Sequence, residues 1–341
     1  MKHYLLPKKG SFYKANLHCH TTVSDGNWSP EKVKRIYRSQ GYSVVAFTDH
    51  DVIIPHDDLR DKDFLPLNGM EIEIPSPILP DSYKKRPWIH LCLIAKEEGN
   101  LMMPFYHRSL YIKYHEAENR AKVQFDPEAE DYVREWDVDS VNRTIAIAKE
   151  KGFFVTYNHP DWSFEDARRL TQYQGLDALE FYNSSTAMNG YCDNSPAIYN
   201  ALCRSGMRLF PVAADDNHNP VEFADPFNSS CGGWVQIKAE KLEYRAVTLA
   251  LEKGDFYASC GPEILELWTE NGHLHLRCSP AQRVYSVSIG GKCLHEFANS
   301  GPITEAKFPL TPERGGVRIA VFDEKGKFAT TRFYYPEEWG K

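Results

Sequence analysis

Residues 12–25 read F-Y-K-A-N-L-H-C-H-T-T-V-S-D, and residues 43–51 read S-V-V-A-F-T-D-H-D. Each is a β-rich run that ends in ionisable side chains. In the first, His18 and His20 stand at i and i+2 after a strand expected over 12–17. Side chains alternate along a strand, so both imidazoles project to one side and Cys19 faces the other. Asp25 follows in the turn S-D-G, where an aspartate also serves as an ordinary turn residue. In the second, the strand 43–47 runs straight into Asp49, His50 and Asp51. A helix N-cap is the plain alternative for either aspartate.

The same pattern recurs outward along the chain. Glu71 and Glu73 share one face of a strand expected over 64–74, and His90 lies in the apolar strand 88–95. There it reads equally as a satisfied core histidine. His159 follows the strand 153–157 in N-H-P. A further strand is expected over 178–182. Asp216 and His218 follow the strand 209–213 in D-D-N-H-N, where Asp215 competes with Asp216 and the i, i+2 pairing favours the latter. Helical patterns alternate with these strands at 30–39, 131–151, 164–173 and 194–205. Ser29 and Pro30 suit a helix start, and Gly41, Gly152 and Gly206 suit helix ends. This alternation predicts an α/β fold with a parallel sheet or barrel. Active sites form at the C-terminal rim of such barrels. Six of the residues above, His18, His20, His50, His159, Asp216 and His218, fall at or just after strand C-termini.

Two segments depart from the rhythm. Residues 97–130 read as an insertion whose Arg108, Lys113 and Arg120 could clamp a second phosphate or simply carry solvated charge. After about residue 262 the chain turns to short β-rich runs at 263–268, 273–277, 284–289, 317–322 and 328–335. These predict a small antiparallel sandwich. The expected division is a barrel over 1–262 and a β domain over 263–341.

At 341 residues the chain fits about two domains and can bury a core without disulfides. Its 40 basic and 47 acidic residues leave a net charge of −7, against a nucleic-acid coat or a polybasic membrane anchor. The densest basic run, K-K-R at 84–86, has Asp81 close by. No apolar stretch suits a signal peptide or a spanning helix, and eight scattered cysteines fit reduced thiols. A cytoplasmic protein is expected.

Taken in order, H-C-H-T, S-D-G, T-D-H-D, the strand Glu71, the strand His90, N-H-P and D-x-H resemble the polymerase and histidinol phosphatase (PHP) superfamily over residues 10–262. The segment G-D-F-Y-A-S-C-G-P and the β-rich tail also resemble its CehA/McbA-like branch. The resemblance implies a distorted (β/α)7 PHP-type barrel with up to three metals. It implies a first metal on His18, His20, Glu71 and Asp216. A second would sit on Glu71, His90 and His159, with Glu71 bridging, and a third on Asp25, His50 and His218.

Nine such groups on one rim exceed the roughly four to six ligands of one metal and suit two or three of Zn, Mn or Fe. Three divalent ions with Asp25, Glu71 and Asp216 leave the site at about +3, which suits a phosphoester. The expected activity is therefore hydrolysis of a small phosphorylated substrate or short oligonucleotide by metal-activated hydroxide, with no extended nucleic-acid groove and no membrane partner. The alternatives are a carboxylic ester, carbamate or amide hydrolase using the same site, and a catalytically silent metal-binding module.

Overall fold

The computed structural model describes residues 2–76, 88–192 and 195–340; the K-K-R run and Asp81 lie outside them. The chain is mixed α/β. Its strands, in order, are β1 (His3–Tyr4), β2 (Ser11–Asn16), β3 (Val44–Phe47), β4 (Leu65–Pro75), β5 (Trp88–Ala95), β6 (Phe153–Tyr157), β7 (Ala178–Asn183) and β8 (Phe210–Ala214). β2, β3 and β4 pair in parallel, as do β6, β7 and β8. The expectation of a parallel sheet is corrected at β5, which runs antiparallel to both β4 and β6. The physical reason lies in the connection. A parallel neighbour needs a crossover, usually helical. The 76–87 link carries Pro77, Pro80 and Pro87, which leave no room for a helix.

The sheet continues beyond β2 through β9 (Trp234–Ala239) and β10 (Phe256–Ser259), both antiparallel to their neighbours. Ala15, Val44, Leu65, Phe154, Val212 and Val235 meet in one buried cluster, so strands from distant parts of the sheet face a shared interior. Helices cover the outside. The helix Pro30–Ser39 is capped by the Ser29 side chain, which accepts from the Lys32 amide. The expected 131–151 helix starts only at Val138, where Asp137 accepts from the Ser140 amide. The expected 164–173 helix shrinks to Ala167–Leu170, because Phe164 at φ 52° is left-handed and Asp166 caps the turn that follows. The helix Tyr244–Lys253, between β9 and β10, had no counterpart among the sequence expectations.

Seven more strands follow: β11 (Ile264–Glu270), β12 (His273–Ala281), β13 (Arg283–Ser288), β14 (Leu294–Phe297), β15 (Ile303–Pro309), β16 (Val317–Phe322) and β17 (Phe328–Thr330). Their Leu267, Leu276, Val284, Phe308 and Ile319 build a second core between two antiparallel layers. One layer is β1-β11-β12-β15, so the N-terminal strand is hydrogen-bonded to the C-terminal region. The other, β14-β13-β16-β17, joins the main sheet at β10. Phe328 packs on Phe181 and Tyr182 of β7 at ring distances of 5.3 and 5.7 Å.

Candidate metal centre

The loops after β2, β3, β6 and β8, together with β4 and β5, bring all nine singled-out residues to one place. Reversal of β5 matters here. His90 stands near its start, opposite Glu73 in register, and so arrives at the rim where the parallel strands end. Three residues there, Asp51 (φ 56°), His159 (φ 25°) and Asp216 (φ 51°), hold left-handed backbone. Non-glycine residues pay for that conformation, and such strain gathers at functional sites.

Four ligand-type atoms, from His18, His20, Glu71 and Asp216, lie within 4.8 Å of one another. Nε2 of His18 is 3.2 Å from Glu71 and 3.3 Å from Asp216; Nε2 of His20 is 3.3 and 3.2 Å from the same carboxylates. Glu71, His90 and His159 form a second group, with His90 Nδ1 at 3.0 Å and His159 Nε2 at 3.4 Å from Glu71 Oε1. Asp25, His50 and His218 form a third, joined by the Nδ1 side of His20 at 3.4 Å from Asp25. His218 Nε2 is 3.3 Å and His50 Nε2 3.7 Å from Asp25. Glu71 is thus common to two groups and His20 to two.

Chemistry of the donor set suits cations. His20 Nδ1, His50 Nδ1, His90 Nε2 and Asp216 Oδ1 are buried without a hydrogen-bond partner. Such orphans are costly inside a protein unless something else binds them. Burial opposes ionisation of Glu71, yet the imidazoles of His18, His90 and His159 hold its carboxyl well below the usual range. Burial works against a charged His18, but Cys92, Glu71, Asp216 and Glu180 hold its pKa well above the ordinary imidazole value. His50 goes the other way, pushed down to about 3 by burial and by neighbouring His20.

Neighbouring aspartates have other work. Asp215 accepts from the Tyr37 hydroxyl and from the amides of Cys231, Gly232 and Gly233 at 2.8–2.9 Å, so its oxygens face away from the histidines. Asp49 accepts from the amides of Thr21 and Ser24 and from both hydroxyls, fixing the loop that carries Asp25. Asp51 is paired with Arg134. Neither Asp49 nor Asp51 caps a helix. Cys19 packs in a buried apolar cluster away from the histidines.

Several residues escaped the sequence reading. Glu180 on β7 accepts from His18 Nδ1 and from the His159 amide. Its signal was a single carboxylate inside the apolar strand A-L-E-F-Y. Asn158 donates to Glu71 at 2.6 Å, and Asn183 donates to Glu180 and Asp216. A cavity of about 850 Å³ opens over the cluster, lined also by Glu73, Trp88, Tyr111, His115 and Trp162. Arg108 is turned to Asp131 and to the carbonyls of Pro127 and Ala129, and Arg120 to the His115 carbonyl. Neither lines the cavity, and the side chain of Lys113 lies outside the described residues.

Three solved structures resemble the chain. One, from Bacteroides vulgatus, is a two-domain protein containing a predicted PHP-like metal-dependent phosphoesterase; it is 14% identical with a TM-score of 0.43, over 97% of this chain and 98% of that one. A candidate metal-dependent phosphoesterase from Bifidobacterium adolescentis is 17% identical with a TM-score of 0.38, over 66% of this chain and 94% of that one. An amidohydrolase from Chromobacterium violaceum, with bound sulfate and no metal, is 14% identical with a TM-score of 0.38, over 63% and 93%. No protein-family model and no curated protein matches the sequence. Among the described residues, no helix is long and apolar enough to cross a membrane.

Proposed function

We propose that the chain is a PHP-type hydrolase that uses two or three divalent cations to cleave the phosphoester of a small phosphorylated substrate or short oligonucleotide end. One observation carries this reading: nine imidazole and carboxylate side chains converge in three overlapping groups, with buried donor atoms left unpaired. His18, His20, Glu71 and Asp216 would hold one cation. Glu71, His90 and His159 would hold a second, and Asp25, His50 and His218 a third. When bound, such ions supply Lewis-acid activation of water and neutralise charge on a phosphate.

The chain's own residues do the rest. Glu71 joins the first two groups through its two oxygens. Glu180 fixes the ring of His18, and Asn158 fixes Glu71. Trp162 packs 4.7 Å from His159 and 5.1 Å from His90, screening that side from water. Ser185, Thr186 and Asn189 offer uncharged hydrogen-bonding groups to a substrate. Among the described residues no Lys or Arg lines the cavity, so an anionic group there depends on bound cations for its countercharge. With Glu180 included, the site carries about +2 when three ions are present.

The test is an activity panel on chelator-stripped protein reloaded separately with Zn, Mn and Fe. It covers phosphomonoesters, phosphodiesters, carboxylic esters, carbamates and amides. Metal-dependent turnover of phosphoesters is expected. Turnover of carboxylic substrates alone would replace phosphate by carbonyl chemistry, and metal binding without any turnover would mean a silent module.

A further inference from the structure

The third ligand group differs from the other two in how it is supported. His18, His20, Glu71, His90, His159 and Asp216 are buried and held by strands and by Glu180, Asn158 and Asn183. Asp25, by contrast, is about half exposed (53% for its side chain), and His50 and His218 are partly open. Asp25 and His50 stand on loops, and both loops are gripped by one segment, the long 96–137 connection between β5 and the next helix.

Arg134 provides one grip. Its side chain is fully buried, donates to Asp51 Oδ1 at 2.5 Å and to the Glu73 carbonyl at 3.2 Å, and lies 3.7 Å over the ring of Tyr111. Asp51 follows His50 directly, in left-handed backbone with its amide bonded to the Glu71 carbonyl. A buried guanidinium–carboxylate pair is rigid, and removing one partner leaves an uncompensated charge. His115 and Asn119 provide the other grip. They reach the same carbonyl, that of Val23, at 3.0 and 3.2 Å, two residues before Asp25.

We infer that the 96–137 segment braces the third cation position: Arg134 holds His50 through Asp51, and His115 with Asn119 holds Asp25 through Val23. These are positioning residues, since none of them belongs to a ligand group. The inference rests on the metal reading above. It gives the insertion a definite task, which is to set whether the open third position fills.

Calorimetric titration of the stripped full chain with Mn²⁺, together with a metal count after gel filtration, tests it. His218→Ala serves as the marker for loss of the third position, because His218 belongs to that group alone. Arg134→Met is expected to weaken the same class of site as His218→Ala, by roughly 10–100-fold, the usual effect of residues that orient ligands. The remaining class or classes should stay within about 2-fold, and Arg134→Lys should recover part of the loss. Should Arg134→Met fail to fold, Asn119→Ala keeps the test, with a smaller loss in the same class. Equal weakening of every class, or of none, in the folded variants would overturn the inference. Wild-type protein that binds no Mn²⁺, Zn²⁺ or Fe²⁺ would overturn the metal reading itself.

Discussion

Glu180 meets His18 at 2.7 Å on the ring edge opposite Glu71 and Asp216. A carboxylate can only accept here, so Nδ1 of His18 carries the proton and Nε2 presents its lone pair to the ligand group. Glu180→Ala should cut metal affinity by about 10–100-fold. Glu180→Gln, which retains an acceptor, should lose less. Titration calorimetry on stripped protein checks both, and unchanged affinity in Glu180→Ala would leave Glu180 a packing residue.

Glu71 and Glu73 lie two residues apart on β4 with different surroundings. Glu71 faces five histidines, whereas Glu73 is part-exposed at the cavity wall, 3.9 Å from His90. Glu71→Gln should lower kcat by at least about 100-fold and reduce metal content, since a ligand costs no less than the residues that orient it. Glu73→Gln should cost less than about 10-fold and act mainly on KM. Equal losses would show that Glu71 does not join two cations.

Cations that bind only the folded chain stabilise it by mass action. At a free concentration about 100 times Kd the gain is about 2.7 kcal/mol per site, which for a chain of this size raises Tm by a few degrees. Thermal melts with and without Mn²⁺ should show that rise in the wild type, and a smaller one in Asp216→Asn. A flat response across Zn²⁺, Mn²⁺ and Fe²⁺ would count against cation binding.

Stopping the chain at residue 262 should damage more than the tail. It would strip Phe328 from Phe181, Phe333 from Tyr199 and β17 from β10. Apolar faces exposed in this way promote aggregation. The expected outcome is largely insoluble protein; a soluble monomer with full metal content would instead show that residues 1–262 fold alone.

A small substrate also predicts shallow salt dependence. The log–log slope of kcat/KM against salt should stay less steep than about −4, because few phosphates are neutralised outside the cation site. A steeper slope would point to an extended nucleic-acid track.

Much of the site was legible because its residues cluster in sequence. His18 with His20, and Asp216 with His218, announce themselves by i, i+2 spacing after apolar strands. Glu180 and Arg134 do not. Each is one charged residue in an unremarkable stretch, and its meaning comes from a partner 162 or 83 positions away. The direction of β5 was hidden for a related reason: local pattern marks a strand, but its connections decide which way it runs. β9, β10 and the helix between them, at 234–259, passed unread although their alternation is regular, since no chemistry drew attention there.

The pairing of β1 with β11 bears on how the molecule is made. The carbonyl of His3 lies against Thr269, 266 positions later in the chain. At a translation rate of about 5–20 residues per second, that partner emerges roughly 13–53 s after β1. Leu5 and Leu6, buried in the final structure, must wait uncovered for that interval. Synthesis therefore cannot finish this protein domain by domain from the N-terminus. The first strand is placed among the last, and a holding chaperone that masks the opening residues should raise the yield of native chain.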